Sequence, residues 1–161
     1  TMNDVAESLR SVLAVLLEEE HGLIRLNALA RAEQHALVSS NYDEIERVSN
    51  EMHAAADQID ALESQRTKMI GALGVPDATL TDLLPLAEQH GVDGLREASE
   101  RMIRLAADLR MAQEANARLL LSAVKLRERW VNHVAGMHAS TYGAAGKQQI
   151  RQSRGIVSRS A

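Results

Sequence analysis

The spacing of apolar residues predicts a long amphipathic helix at the start of the chain. From about Asn3 to Val38, apolar residues recur at steps of three and four or their multiples, which is the spacing of one helix face. Gly22 lies inside this stretch, and because glycine costs about 1 kcal/mol against alanine in a helix, a kink or local weakness is expected there. The stripe consists of Val5, Leu9, Val12, Leu16, Leu23, Leu26, Ala30 and Leu37.

A second helix is predicted from about Tyr42 to Leu73. A polar break precedes it, in which Asn41 and Glu44 have the spacing of an N-cap and its capping-box partner. A tight helical hairpin is therefore expected between the first two helices. The second helix holds a seven-residue repeat with Arg66 as its one departure. The repeat consists of Ile45, Val48, Met52, Ala55, Ile59, Leu62, Met69 and Leu73.

A connector and a short helix come next. Gly74 and Pro76 predict the end of the second helix, because glycine favours the residue after a helix and proline cannot continue one. Thr79 is a favourable N-cap for a short amphipathic helix, and His90 and Gly91 close it.

A third long helix is predicted from about Asp93 to about Met137. Its sustained seven-residue repeat is typical of left-handed coiled-coil packing. Because this helix is longer than the other two, its end is expected to lack cover within the chain. One register consists of Leu95, Met102, Leu109, Asn116, Ala123, Trp130 and Met137, and the other of Ala98, Leu105, Ala112, Leu119, Leu126 and His133.

These patterns predict an all-α fold, an antiparallel coiled-coil helical bundle of three long helices plus one short helix, over residues 2–138. Residues 139–161 contain few apolar side chains and predict a flexible basic C-terminal tail. Two positions remain open. Asn116 either fixes the register of the helices or faces a solvated groove, and Trp130 is either a core residue or an exposed anchor for a partner.

Composition and charge narrow the class of protein. The 161 residues suit one domain, and the absence of cysteine excludes disulfides and thiol chemistry. Residues 1–128 hold 13 Lys and Arg against 22 Asp and Glu, whereas 129–161 hold five basic residues and no acid. The basic tail attracts an acidic partner or is simply solvated, and without interleaved aromatic residues no nucleic acid is expected. No leader-like or membrane-spanning stretch is evident, so we expect a cytoplasmic protein without membrane insertion.

Two local patterns resemble catalytic or cofactor motifs but lack their partners. Glu18 and His21 form Glu-x-x-His, which di-iron carboxylate bundles use twice, whereas this chain has it once. The acids around it are interpreted as a surface run. The segment from Gly143 to Lys147 has two residues between its glycines, where a phosphate loop has four. We therefore expect no enzyme, no catalytic residue, no cofactor and no metal.

Three segments in order resemble the FlgN family of flagellar export chaperones. The heptads of residues 33–73, interrupted by Ser-Ser-Asn-Tyr-Asp, resemble the first hairpin of that family. The run Gln-Glu-Ala-Asn-Ala-Arg-Leu-Leu-Leu at 113–121 resembles its Asn-containing third helix. Thr-Tyr-Gly-Ala-Ala-Gly at 141–146 resembles the Tyr-Gly turn that follows.

The resemblance implies a cytoplasmic chaperone that binds C-terminal helical segments of hook-associated flagellar proteins and delivers them to the type III flagellar export gate. In this family the end of the last helix and the tail hold the substrate, and a tyrosine there helps recognition by the gate. The implied gate residue is Tyr142. The implied substrate-binding residues are Ala123, Leu126, Trp130, Val134 and Met137.

A different class of protein remains as the alternative. The heptads would also suit a structural or self-assembling coiled-coil protein that pairs chain with chain and has no client, and a homodimer is open in either case.

Overall fold

The computed structural model describes the backbone of residues 1–75 and 77–157 and the side chains of residues 1–75 and 77–136. Over this part of the chain there are four helices and no strand, which confirms the all-α prediction. They are α1 (Met2–Val38), α2 (Tyr42–Ala72), α3 (Leu80–Gln89) and α4 (Leu95–Val157).

The turn between α1 and α2 is made by polar residues. Ser40 adopts a left-handed backbone with φ of 53°. Asn41 then caps α2, because its side-chain oxygen accepts a hydrogen bond of 3.2 Å from the backbone N–H of Glu44. The Glu44 carboxylate itself accepts a hydrogen bond from Arg47 Nε at 2.9 Å. The predicted N-cap at Asn41 is thus present, whereas the carboxylate of Glu44 pairs with Arg47 in the next helical turn.

Local capping also sets the ends of the shorter elements. Gly74 follows the end of α2, as predicted, and its φ of 80° turns the chain out of the helix. Glycine suits this position because an L side chain would be strained there. The backbone N–H and the hydroxyl of Thr79 each donate a hydrogen bond of 2.7 Å to the Asp82 carboxylate at the start of α3.

The predicted apolar stripe of α1 forms the core. All of its eight residues are buried or half-buried, and Leu9, Val12 and Leu16 have no exposed surface. One core cluster joins the first half of α1 to the end of α2, to α3 and to the start of α4. A second cluster joins the later half of α1 to Ala55 and Leu109. α3 closes the first cluster, because its Leu83 is completely buried there.

α1 and α2 lie antiparallel and approach closely at Gly22. Glu19 of α1 contacts Arg66, whereas Gly22, one turn later, faces the earlier residue Ile59. A Cβ at Gly22 would lie 2.7 Å from Ile59 Cγ1, so a side chain there would displace Ile59 or push the helices apart. α1 runs unbroken through this glycine. Close helix packing, which was not predicted, therefore accounts for a residue that suggested a weak point.

The chain divides into two compact units, residues 1–119 and 120–161. The second unit consists of the rest of α4 and the residues after it. The backbone of α4 stays helical to Val157, past the predicted end near Met137 and through the segment at 141–146 where the resemblance implies a turn. Alanine, glutamine and arginine are frequent there and favour helix. The domain boundary at 138 and the flexible tail over 139–161 stay predictions.

Candidate functional site

Four of the predicted binding residues lie on one face of α4 and are exposed. Ala123, Leu126, Trp130 and Val134 follow one another at steps of three and four, so they share a helix face, which we call the exposed stripe. The exposed fractions are 55% for Leu126, 63% for Trp130 and 48% for Val134. The structure thus excludes the core interpretation of Trp130.

The exposed stripe continues a seven-residue repeat that is buried earlier in α4. At positions 95, 98, 102, 105, 109, 112, 116 and 119 the repeat residues are buried or half-buried, whereas every residue from 120 to 136 is exposed. An apolar face with the spacing of a helix seam is therefore presented to solvent.

Two shallow clefts flank the exposed stripe. One has a volume of about 410 Å³ and is lined by Leu126, Arg129, Trp130 and His133. Within it the Trp130 and His133 rings meet edge to face, with centroids 6.2 Å apart and planes at 87°. The other has a volume of about 470 Å³ and is lined by Val124, Arg127, Glu128, Val131 and Asn132. Clefts of this kind accept side chains of a partner helix.

The two other predicted site residues have their backbone in α4. Met137 and Tyr142 fall within the helix, and their side chains lie outside the described residues.

The acidic run at the middle of α1 is structural, and interpreting it as a surface run was wrong for two of its members. Glu18 is exposed, but Glu19 is 1% exposed and accepts hydrogen bonds of 2.9 and 3.2 Å from Arg66 Nε. Glu20 accepts bonds of 2.7 and 3.1 Å from Arg101 of α4. Glu19 occupies the position between Leu16 and Leu23 where the apolar stripe of α1 has no apolar residue. Its partner Arg66 is the one departure from the repeat of α2.

The two neighbouring acids have opposite pKa shifts. Burial raises the pKa of the Glu19 carboxyl, although the hydrogen bond from Arg66 acts in the other direction. The hydrogen bond from Arg101 lowers the pKa of the Glu20 carboxyl. Both effects belong to the packing of the helices and do not create a reactive group.

Two buried asparagines join α1 to α4. Asn116 is 3% exposed, and its amide donates a hydrogen bond of 2.8 Å to the carbonyl of Ala30. This burial rules out the solvated-groove interpretation. Asn27, which sequence reasoning missed, donates bonds of 3.0 Å to the carbonyls of Leu23 and Leu105. A polar residue within an apolar stripe was the available signal.

The acidic run also borders a cleft on the surface of the described part of the chain. Glu18 and His21 line an open cleft of about 520 Å³ between α1 and α2, together with Gly22 and Arg25. Among the described residues, no three His, Asp or Glu side chains are grouped to hold a metal ion. No described helix combines the length and hydropathy needed to cross a membrane.

Comparison with known proteins identifies a family. A family model described as FlgN protein matches residues 2–150. No curated protein and no solved structure matches the chain.

Proposed function

The chain belongs to the FlgN family of chaperones in flagellar biogenesis, and we propose that it binds C-terminal helical segments of hook-associated flagellar proteins and delivers them to the export gate. Binding of this kind needs no catalyst. A chaperone that holds such a segment prevents its premature assembly by covering the apolar face that the assembly would use.

The exposed stripe of α4 is the observation that carries this proposal. Apolar side chains with the spacing of a helix seam remain exposed to water. A partner that covers them would stabilise the complex by about 25 cal/mol per Å² of apolar surface buried. A client helix with its own apolar face fits that need. We assign the client contacts to Ala123, Leu126, Trp130, Val134 and Met137, with Trp130 as the main anchor because tryptophan dominates many binding interfaces.

Further parts of the proposal concern the gate and the surroundings. Tyr142 is assigned to recognition of the export gate, on the resemblance of its Tyr-Gly segment alone. The chaperone acts in the cytoplasm, without nucleic acid and without membrane insertion. The basic C-terminal tail folds against the client, so that its ordering accompanies capture.

We also propose that α1, α2 and residues 95–119 of α4 pack as an antiparallel coiled-coil bundle. Contacts from α1 support this arrangement. They run in opposite sequence order to α2 and in the same order to α4, where Glu20 meets Arg101 and Ala30 meets Asn116. Consecutive long helices therefore alternate in direction, as in a bundle with short connections.

Calorimetry with a C-terminal helical fragment of a hook-associated protein tests the client site. Trp130→Ala is expected to weaken binding about a hundredfold and Leu126→Ala about tenfold, because both remove anchors of the interface. Ile103→Ala is the matched control, since Ile103 lies on the same helix and is 67% exposed, and its truncation removes as many carbon atoms as Leu126→Ala does. Equal losses in all three variants, or no loss in any, would contradict the proposal.

The same purified proteins test the remaining assignments. Tyr142→Ala should weaken fragment binding much less than Trp130→Ala does and should abolish capture by the gate protein. Tyr42→Ala is the control and should change neither, because Tyr42 is the first residue of α2, outside the proposed site. Light scattering of the purified protein tests the alternative of a self-assembling coiled coil. That alternative predicts a stable higher oligomer that the client fragment does not dissociate.

A further inference from the structure

Arg129 occupies a repeat position that binds a carboxylate earlier in the same helix. Arg101 follows Ala98 by three residues and immediately precedes Met102, and both neighbours belong to the repeat. Arg129 follows Leu126 by three residues and immediately precedes Trp130 in the same way. Positions 101 and 129 differ by 28, which is four sevens, so both arginines lie at the same edge of the repeat.

At the earlier position, Arg101 binds an acid on α1, the helix that covers the buried part of the α4 repeat. Nε and Nη2 of Arg101 donate hydrogen bonds of 2.7 and 3.1 Å to the two carboxylate oxygens of Glu20 on α1. Arg101 is 41% exposed and Glu20 12% exposed, so the pair lies at the edge of the packed surface. Two-point bonding fixes the geometry of an arginine and a carboxylate in a way that a lysine does not reproduce.

At the later position the charge around the stripe is unbalanced. Among the described side chains no carboxylate lies within ion-pair distance of Arg129. The one acid between 115 and 136 is Glu128, which lines the cleft of Val124 and Val131, whereas Arg129 lines the cleft of Trp130. The basic residues between 120 and 136 are Lys125, Arg127 and Arg129.

We propose that Arg129 determines which client is bound: it selects an amphipathic helix that carries a Glu or Asp at the edge of its apolar face, as α1 carries Glu20. This inference rests on the proposed function and adds the charge pattern of the client. The apolar face supplies the area of contact, and the arginine discriminates among helices of similar hydrophobicity, because a basic client would face a like charge.

The test uses two kinds of probe and the quenching or blue shift of Trp130, the single tryptophan of the chain, as the readout. The first probe is the C-terminal helical fragment of a hook-associated protein, with its acidic residues changed to Gln one at a time. The second is a pair of designed helices that share one leucine face and carry either Glu or Lys at its edges. The protein variants are Arg129→Gln, Arg129→Glu and, as the control, Lys125→Gln, which removes a nearby charge away from the stripe.

Arg129→Gln is expected to weaken the natural fragment about tenfold and Lys125→Gln less than twofold, because only the first removes a charge-assisted hydrogen bond at the interface. At one acidic position of the fragment, the change to Gln should weaken binding to the wild type but should cause no further loss of affinity for the Arg129→Gln variant. The Glu helix should bind the wild type more tightly than the Lys helix, and Arg129→Glu should reverse that order. Equal effects of the two Gln substitutions, with no reversal, would overturn the inference.

The two probes separate this inference from the proposed function. If the natural fragment binds through Trp130 but is indifferent to Arg129, the function stands and the charge selection fails. If only the designed Glu helix binds, and depends on Arg129, the charge selection stands and the client class is wrong. If neither binds, or if light scattering shows a dimer in which the fluorescence of Trp130 is already blue-shifted without any probe, both are overturned.

Discussion

Residues 95–119 and 120–136 of α4 carry one seven-residue repeat but differ in the burial of the repeat positions. Leu95 and Leu109 are buried in the first part, whereas Leu126 and Trp130 are more than half exposed in the second. The apolar character of the two parts is similar, so the repeat itself does not decide burial. What decides it is whether a stripe on another helix is available to cover it, and α1 supplies such a stripe to the first part.

Polar residues of the repeat differ in the same way. In the packed part each has a partner for its main donor groups: Arg101 binds Glu20, and Asn116 binds a carbonyl of α1. In the exposed part, Arg129 and His133 lie beside Trp130 in an open cleft. A pattern that is completed within the chain stabilises the fold, and the same pattern left incomplete leaves apolar side chains in water, where we propose that the client binds.

The largest expected difference between packed and exposed regions concerns two arginines. Arg66→Ala should lower the free energy of unfolding by about 3–5 kcal/mol, because it leaves the carboxylate of Glu19 buried without its partner. Arg129→Ala should change it by less than about 0.5 kcal/mol, because Arg129 is exposed. Urea denaturation measures both, and a small effect of Arg66→Ala would show that water reaches Glu19.

A pair of leucines gives the next largest difference. Leu109→Ala should lower the free energy of unfolding by about 2–3 kcal/mol, because it leaves a cavity in a buried cluster. Leu126→Ala should stay within about 0.5 kcal/mol of the wild type in the absence of client. If Leu126→Ala destabilises the free protein as strongly as Leu109→Ala, the exposed stripe is covered in solution and the comparison fails.

The smallest expected effect is a pH dependence within the packed region. The raised pKa of Glu19 contributes stability that is present below about 4.5 and is lost as pH rises through its folded pKa. The lowered pKa of Glu20 contributes stability that is present above about 4.5 and is lost as pH falls through its folded pKa. The contribution of Glu20 should be small, because its pair with Arg101 lies at the edge of the packed surface.

Denaturation of Glu19→Gln and Glu20→Gln between pH 3 and 7 checks these signs. The stability difference between wild type and Glu19→Gln should shrink as pH rises, whereas the difference between wild type and Glu20→Gln should grow. Parallel pH profiles for the two variants would mean that the neighbouring acids have similar surroundings.

The sequence predicted the helices and much of the core because one periodicity determines both. The stripe of α1 and the repeat of α4 up to Leu119 are buried where spacing placed them. Caps at Asn41 and Thr79 follow from short-range hydrogen bonding, which local sequence encodes.

Pairings between helices were harder to predict. Glu19 with Arg66, and Gly22 with Ile59, depend on the register of α1 against α2, which no single helix contains. The resemblance to the FlgN family implied the residues of the candidate site, and the exposure of Trp130 selected between two interpretations that the sequence left open. The charge preference at Arg129 needed the observed partner of Arg101.

The register between α1 and α4 has a consequence for the length of the exposed stripe. A seven-residue repeat on its own permits α4 to slide by one repeat, or about 10 Å, while apolar residues still meet apolar residues. Such a slide would separate Asn27 from the carbonyl of Leu105 and Asn116 from that of Ala30. Each misplaced frame would lengthen or shorten the uncovered face by two helical turns. The register of α1 against α4, in which Asn116 bonds Ala30, therefore sets the length of the uncovered face and, with it, the length of the client helix that we propose.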